Sequence, residues 1–330
     1  MTRVSAPTPP ASRPTPAPAS RRPAAPRRRR RGSGPLPYLL VAPASIMELL
    51  VHIVPMLLGV WIAFISLTQL HIANWLSAPF VGLHNFIDGL NPAGPIGSEF
   101  FSAVLRTVVF TVIVMAVSWV LAIFAAVMLS TSFRGRGFVR TLFIVPYALP
   151  AYVGTIAWAF IFSQENGVIN TFLVDDLHLF GGKPPFWLLG PNSFFVICIV
   201  TIWEMWPFAF LMLLAALQSI PGEVYEAASL DGASLWKQFT RITLPLIRPA
   251  NSVLLLVMGL WVFNQFNVPY VLFGATPPKE ALLVTPLIYQ NSFSSFNFGL
   301  GGAMSVLLMI LLLVASLVYI RLALPREDPK

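Results

Sequence analysis

Six long apolar segments follow one another along the chain after a first stretch rich in proline and arginine. They lie at about residues 38–68, 101–130, 141–163, 192–218, 250–274 and 299–322. Each has about 20 residues or more, the length that an α-helix needs to cross a hydrocarbon core of roughly 30 Å. Helices are favoured because a backbone in lipid must satisfy its own hydrogen bonds. The pattern predicts an all-α integral membrane protein with six transmembrane helices.

The composition and the distribution of charge agree with a membrane protein. Only 10% of the 330 residues are charged, whereas soluble domains carry about 25%. The formal net charge is +8, but nine arginines lie in the first 47 residues, which contain no acidic residue. The rest of the chain holds 12 basic and 13 acidic residues and is nearly neutral. We therefore expect a membrane environment and no nucleic-acid partner.

The two ends of the chain are predicted to be cytoplasmic tails. Residues 1–35 are rich in Pro, Ala and Arg, a composition that buries too little apolar surface to fold, so we predict a disordered tail. Its arginine run, Arg27 to Arg31, either contacts anionic lipid or serves only as a positive flank that orients the first span. We assign 36–322 to a transmembrane domain and 323–330 to a C-terminal tail.

Basic residues are concentrated in alternate loops. The loops at 131–140 and 219–248 and the C-terminal end each carry three, namely Arg134, Arg136, Arg140, Lys237, Arg241, Arg248, Arg321, Arg326 and Lys330. The intervening loops carry only Lys183 and Lys279. The positive-inside rule places the basic loops, and both termini, in the cytoplasm. An even number of spans agrees with that orientation.

The cytoplasmic segment from Gln218 to Pro249 has the pattern of a short helix, a turn and a second helix. Pro221 suits a first helical turn, and the acidic residues that follow it favour the positive end of a helix dipole. Asp231 and Gly232 interrupt the run, and Asp231 is positioned to cap a second helix beginning near Ala233. A short helix between two spans offers a docking point for a cytosolic partner.

This segment resembles the EAA loop of the membrane subunits of ABC importers, because EAASLDGA is followed by ITLP. The coupling positions in this sequence are Glu226, Ala227, Ala228, Asp231, Gly232, Ala233, Leu244 and Pro245. The fuller pattern, from IPGEVYEAASLDGA to ITLP, is similar to the carbohydrate-uptake branch related to the maltose permease. The segment Arg140 to Phe162 also resembles a span of such permeases, and the resemblance covers about residues 36–322.

The resemblance implies a set of partners in a bacterial cell membrane. These are a second, related permease, a dimer of ATPase subunits that binds ATP and Mg, and an extracytoplasmic solute-binding protein. The EAA loop would lie in a cleft of one ATPase subunit. This sequence contains no phosphate-binding loop of the G-x-x-x-x-G-K-[ST] type. We therefore expect no cofactor in this chain and no enzymatic activity of its own.

Polar residues at membrane depth indicate where a solute passes, because such residues usually face a cavity or a partner. Glu204 lies in the fourth span, and Asn264 and Gln265 lie in the fifth. Amides and carboxylates suit sugar hydroxyls, and aromatic faces suit the apolar faces of sugar rings. The candidate pathway residues are Glu204, Trp206, Phe208, Asn264, Gln265 and Phe266. The resemblance matches Asn264, Gln265 and Phe266 to a sugar-site motif of the family, with Gln265 in place of an Asn. The alternative is that these residues connect helices or subunits.

Other functions remain open from the sequence. The solute is either a sugar or another molecule, such as a glycerol phosphate, a polyamine or an osmolyte. A proton-coupled secondary transporter using Glu204 is a further alternative, although such folds often show internal repeats. No Ser/His/Asp set or HExxH motif points to an intramembrane enzyme. The four histidines are scattered, so we expect no metal site.

Overall fold

The computed structural model describes residues 36–323. Within that range the chain is helical, with no strand beyond the isolated bridges that pair Ile65 with Phe80 and Thr68 with Asn297. The predicted all-α class is therefore confirmed. The predicted tails lie outside the described residues, except that Ala323 ends the last helix.

The described chain contains α-helices joined by turns and by two longer segments, 63–83 and 171–191. In chain order the helices are α1 (Leu36–Glu48), α2 (Val54–Ile62), α3 (His84–Leu90), α4 (Pro95–Ser130), α5 (Arg136–Ala148), α6 (Ala151–Ile161), α7 (Val168–Asn170), α8 (Asn192–Gln218), α9 (Gly222–Leu230), α10 (Leu235–Gln238), α11 (Leu244–Phe263), α12 (Asn267–Phe273), α13 (Val284–Tyr289) and α14 (Phe298–Ala323). Turns of π-helix lie at Leu49–Ile53, Thr171–Asp176, Phe239–Thr243 and Gln290–Ser294. A boundary between two compact units follows Ile53.

Five helical stretches in the described range are long and apolar enough to cross a membrane. They are Tyr38–Ile62, Pro95–Ser130, Asn192–Gln218, Leu235–Phe273 and Phe298–Ala323. A sixth crossing is made by α5 and α6 if this bent pair is one span. The predicted count of six therefore corresponds to five long stretches and one bent pair.

The third predicted span, 141–163, is not one continuous helix. α5 ends at Ala148, α6 begins at Ala151, and the two are bent by 90°. The cause lies at Leu149, which has extended backbone angles (φ −75°, ψ 143°) because the following Pro150 disfavours the helical conformation. Pro146 lies inside α5 without ending it.

The fifth predicted span, 250–274, is interrupted between α11 and α12. Asn264 ends α11, and the Gln265 side-chain oxygen accepts hydrogen bonds from the backbone N–H groups of Asn267 (3.1 Å) and Val268 (3.5 Å). Gln265 thus caps the first turn of α12. Pro269 lacks an N–H and is tolerated there because the first-turn donors have no helical partner in any case.

The helices from α4 onward bury three apolar clusters. The cluster between α4, α8 and α11 contains Ala122 and Ala126 of α4, Phe210 of α8 and Met258 of α11. Small residues on α4 allow neighbouring helices to approach closely, which is how membrane helices gain packing energy. The other two clusters are centred on Phe110, Val196 and Val262, and on Phe100, Leu287 and Met304.

Polar contacts join helices that are distant in sequence. The Trp119 Nε1 group of α4 donates to Asn251 Oδ1 of α11 at 2.7 Å. The Tyr319 hydroxyl of α14 donates to the Ser252 carbonyl at 2.9 Å. Such bonds are worth on average about 0.6 kcal/mol in a membrane, so they fix alignment more than they add stability.

Candidate functional site

The coupling loop, residues 222–245, contains a tight helix ending of the Schellman type. After α9 the Gly232 N–H donates to the Ser229 carbonyl at 3.1 Å, and the Ala233 N–H donates to the Ala228 carbonyl at 2.9 Å. Gly232 has φ +73°, the left-handed conformation that this motif requires and that glycine adopts without strain. The turn therefore depends on glycine at this position.

The second helix of the loop is not capped by Asp231 as predicted. Asp231 is the C-cap of α9, and its N–H donates to the Ala227 carbonyl at 3.1 Å. The N-cap of α10 is Ser234, whose hydroxyl accepts from the Lys237 N–H at 3.4 Å. The Schellman ending shifts the start of the second helix by using Asp231 and Gly232 to finish the first.

Side-chain hydrogen bonds hold the loop to the base of α11. The hydroxyls of Tyr225 and Thr243 lie 3.0 Å apart and join α9 to the π-turn before α11. Gln238 Nε2 donates to Ser229 Oγ at 3.1 Å and to the Ala233 carbonyl at 3.0 Å. These bonds link α9 and the turn to α10 and to the π-turn that precedes α11.

Three large apolar side chains project from the loop into the surroundings. Leu230 is 90% exposed, Leu235 is 84% exposed and Trp236 is 72% exposed. They are not among the predicted coupling residues, although exposed apolar residues in a polar loop are a signal of a docking surface. We call Leu230, Leu235 and Trp236 the docking face, because exposed apolar side chains suit contact with a partner.

The predicted coupling residues have different surroundings. Glu226, Ala227, Asp231 and Gly232 are exposed, and Ala233 is half-buried. Ala228 is buried, and Leu244 packs against the apolar cluster between α4, α8 and α11. Pro245 is exposed in the first turn of α11.

The break between α11 and α12 forms the second candidate site. Asn264 is exposed, and its Nδ2 group donates to the Leu260 carbonyl at 2.9 Å, whereas its amide oxygen accepts no hydrogen bond within the described residues. Gln265 is half-buried and interacts with the carboxyl group of Glu204 on α8. Glu204 Oε2 is buried and has no hydrogen-bond partner among the described residues. The structure therefore brings Glu204 and Gln265 together beside the exposed Asn264.

The aromatic candidates do not all lie at this break. Phe266 contacts Tyr270 and Tyr289, with ring centroids 5.0 and 5.1 Å apart. Phe208 contacts Trp261, the residue three positions before Asn264, at 4.9 Å.

Trp206 lies in a different environment from the other pathway candidates. It packs edge-on against Phe143 of α5 at 5.2 Å and lines an apolar cavity of about 430 Å³ between α4, α5 and α8. The separation follows from helix geometry, since residues two apart on a helix, such as Glu204 and Trp206, do not share a face.

Sequence reasoning missed several residues around the break. The Tyr152 hydroxyl of α6 donates to Asn267 Oδ1 at 3.1 Å, and the hydroxyls of Tyr270 and Tyr289 lie 3.5 Å apart. These tyrosines come from segments far apart in the chain, so no local pattern groups them. Among the described residues no group of three or more His, Cys, Asp or Glu side chains is arranged to hold a metal ion.

Comparison with known proteins assigns this arrangement to a family. Residues 118–326 match the family described as binding-protein-dependent transport system inner membrane component. The chain is 31% identical over 294 residues to the trehalose/maltose transport system permease protein MalF of Thermococcus litoralis, covering 89% of this chain and 95% of that protein. It is 32% identical over 288 residues to the sulfoquinovosyl glycerol transport system permease protein SmoG of Agrobacterium fabrum, covering 87% and 90%.

The fold is also that of a solved transporter. A chain of a bacterial ABC transporter involved in the import of the acidic polysaccharide alginate superimposes with a TM-score of 0.75 at 23% identity, covering 87% of this chain and 94% of that chain. The family match covers more than half of this chain, and the MalF relative is matched over nearly its full length. The chain therefore belongs to the family of inner membrane components of binding-protein-dependent transport systems.

Proposed function

We propose that this chain is the permease subunit of an ATP-driven importer and that its solute is a sugar or an oligosaccharide. The observation that carries the sugar assignment is the break between α11 and α12, where amide groups and aromatic rings meet within a span. Asn264 and Gln265 offer groups for sugar hydroxyls, and Phe266 offers a ring face. The names of the relatives MalF and SmoG, both permeases for sugar compounds, support the same class.

The coupling loop is proposed to transmit ATPase motion into the membrane. Its docking face, Leu230, Leu235 and Trp236, is apolar and exposed, as expected of a surface that fills a cleft on a partner. The bonds between Tyr225 and Thr243 and across the turn make the loop a stiff connection to α11. Movement of the docking face therefore moves α11, whose other end is the break at Asn264.

The remaining partners follow from the family. A binding-protein-dependent permease receives its solute from a solute-binding protein outside the membrane. A second, related permease would complete the pathway, and two copies of an ATPase subunit would bind ATP and Mg in the cytosol. We propose that the coupling loop and both termini lie on the cytoplasmic side, and the basic residues of the loops at 131–140 and 219–248 support this orientation. Membership of this family also argues against a proton-coupled transporter.

A cationic solute is the second candidate, because one oxygen of the Glu204 carboxyl is buried and lacks a hydrogen-bond partner among the described residues. The Glu204→Gln variant separates the two candidates, since it keeps the size and polarity of the side chain and removes its charge. If the solute is a sugar, uptake by the Glu204→Gln variant should stay within about threefold of the wild-type rate, because the substitution costs at most one modest hydrogen bond. Loss of nearly all uptake, with normal assembly, would favour a cation.

The experiment that tests the proposed function is affinity purification of this chain from native membranes, with mass spectrometry of the proteins that accompany it. We expect a second permease and two ATPase copies for each copy of this chain. A chain that purifies without an ATPase in several mild detergents would contradict the importer. The binding protein encoded with these subunits can then be screened against sugars by calorimetry.

A further inference from the structure

Six aromatic side chains form a continuous series that begins at the break between α11 and α12. In order of contact they are Phe266, Tyr270, Tyr289, Phe293, Phe298 and Phe296, and we call this series the aromatic ladder. Successive ring centroids lie 5.0 Å apart at the first step, 5.3 and 5.1 Å at the next two, and 5.9 and 6.4 Å at the last two. Each step is within the range of direct ring contact.

The ladder is not an ordinary piece of core. None of its six rings is fully buried, and Phe293 and Phe296 are 57% and 39% exposed. It leads from the break within the fifth span into the segment between α12 and α14. That segment carries a single lysine, Lys279, and the distribution of basic residues places it on the outer side of the membrane.

The outer end of the ladder is held in a strained conformation. Phe296 has φ +52°, a left-handed conformation that is unfavourable for a residue other than glycine. The next residues are fixed against the first outer loop, because Asn297 pairs with Thr68 and the Gly299 N–H donates to the Leu67 carbonyl at 3.1 Å. Strain of this kind persists where the surroundings impose it and is concentrated at functional sites.

The inner end of the ladder carries hydrogen-bonding groups. The hydroxyls of Tyr270 and Tyr289 face each other at 3.5 Å, and Tyr152 donates to Asn267 at 3.1 Å. The polar atoms therefore accumulate where the ladder reaches the break. A ligand moving inward would meet ring faces first and hydroxyl and amide groups afterwards.

We propose that the aromatic ladder is the outer part of the sugar pathway, along which the apolar faces of sugar rings stack in successive steps before the hydroxyls reach Asn264 and Gln265. The proposal rests on the proposed function and extends it to a segment outside the spans. Several weak and equivalent contacts suit translocation, since a solute must leave each site as readily as it enters. A chain of sugar rings can occupy several steps at once, so the ladder favours an oligosaccharide.

The first test compares Phe293→Leu with Phe172→Leu in the assembled transporter reconstituted in proteoliposomes. Phe172 is the matched control, because it is 53% exposed in the other long outer loop and makes no ring contact with the ladder. We expect Phe293→Leu to lower uptake at limiting sugar by about two- to tenfold, the range of an aromatic contact. Phe172→Leu should have no effect, and Phe293→Tyr should restore uptake.

The second test measures protection of a single thiol. Cys198 is the one cysteine of the chain and is buried, so Phe293→Cys and Phe172→Cys each introduce one reactive site. Labelling with a charged maleimide is followed with and without sugar-loaded binding protein and a non-hydrolysable ATP analogue. We expect sugar to slow labelling at position 293 and not at position 172, and unloaded binding protein to protect neither.

The outcomes separate the ladder from the function on which it rests. A wild-type complex that imports no sugar overturns both. A wild-type complex that imports sugar, together with normal uptake by Phe293→Leu and no protection at position 293, overturns the ladder alone. Protection by unloaded binding protein, or loss of assembly in Phe293→Leu but not in Phe172→Leu, also overturns it, because the rings would then form a protein interface.

Discussion

At the scale of single residues, the geometry of the coupling loop depends on Gly232. Its φ of +73° allows the two hydrogen bonds that end α9 and direct the chain into α10. A Cβ atom at this position would meet no neighbouring atom within 4 Å, so conformation and not space requires glycine. A substitution therefore changes the turn without disturbing the packing around it.

Gly232→Val should uncouple ATP hydrolysis from transport. Valine in the left-handed conformation is strained by about 1–2 kcal/mol, so the turn opens and the docking face loses its fixed relation to α11. We expect uptake to fall at least tenfold while the complex still assembles. The measurement is the amount of sugar imported per ATP hydrolysed.

Gly222→Ala is the control, since its Cβ also meets nothing within 4 Å and its φ is not positive. Gly232→Asn should retain coupling, because asparagine tolerates the left-handed conformation. Wild-type coupling in the valine variant would refute the role of the turn.

Asn264→Ala should weaken uptake more than assembly. The side chain is exposed and contacts its own helix only through the Leu260 carbonyl, so its removal leaves the fold intact. Loss of a hydrogen bond to sugar is worth about 1 kcal/mol, or about fivefold in apparent affinity. The measurement is the concentration dependence of uptake, with complex yield as the control. Unchanged kinetics would assign Asn264 a structural role.

The residue scale also shows what the sequence could not predict. The motif predicted a coupling loop, and Asp231 was predicted to cap its second helix. That helix is capped by Ser234, because the Schellman ending of α9 uses Asp231 and Gly232. Glu204 and Trp206 stand two residues apart in sequence, yet only Glu204 meets Gln265. The tyrosines at the break come from three separate elements, so tertiary contact alone groups them.

At the scale of elements, length and hydrophobicity predicted where the spans lie but not where they bend. Pro146, Pro207 and Pro249 lie inside helices that continue past them, whereas Pro150 marks a 90° bend. The residue before Pro150 has extended backbone angles, whereas the residues before the other three prolines remain helical. The break at Asn264 was not predicted by length and hydrophobicity either, because it depends on the Gln265 side chain, which caps the next helix.

Packing of the bent pair depends on Gly154, where α6 meets α8. A Cβ atom there would lie 2.8 Å from Cζ3 of Trp203, closer than real contacts allow. Gly154→Ala should therefore force α6 away from α8 and destabilise the protein by about 1–3 kcal/mol. Thermal unfolding in detergent measures the change, and Gly137→Ala, whose Cβ meets nothing within 4 Å, is the control. Equal melting temperatures for the two variants would show that Trp203 makes room for the added methyl group without loss of stability.

At the scale of the whole molecule, the described chain exposes apolar side chains to two different environments. The outward faces of the spans suit lipid, whereas Leu230, Leu235 and Trp236 lie in a loop that the charge pattern assigns to the cytosol. Exposed apolar residues in water indicate a partner. The partner that we propose for this face is the ATPase subunit.

Trp236→Ala should weaken association with the ATPase and leave the membrane part folded. A buried aromatic anchor at an interface contributes about 2 kcal/mol or more, so the dissociation constant should rise by about thirtyfold. The measurement is titration of purified ATPase onto the permease pair in nanodiscs. Phe138→Ala is the control, since Phe138 is 75% exposed within the basic segment 131–140 and lies outside the coupling loop. Equal affinities for the two variants would remove Trp236 from the docking face.

The most direct test of the central claim is uptake of radiolabelled sugars by proteoliposomes that contain the complete complex, with binding protein on one side and ATP on the other. We predict uptake that requires ATP, the binding protein and this chain together, and that persists when the proton gradient is dissipated. Uptake that continues without ATP but stops with the proton gradient would contradict the account. So would a complete, ATP-hydrolysing complex that imports no sugar.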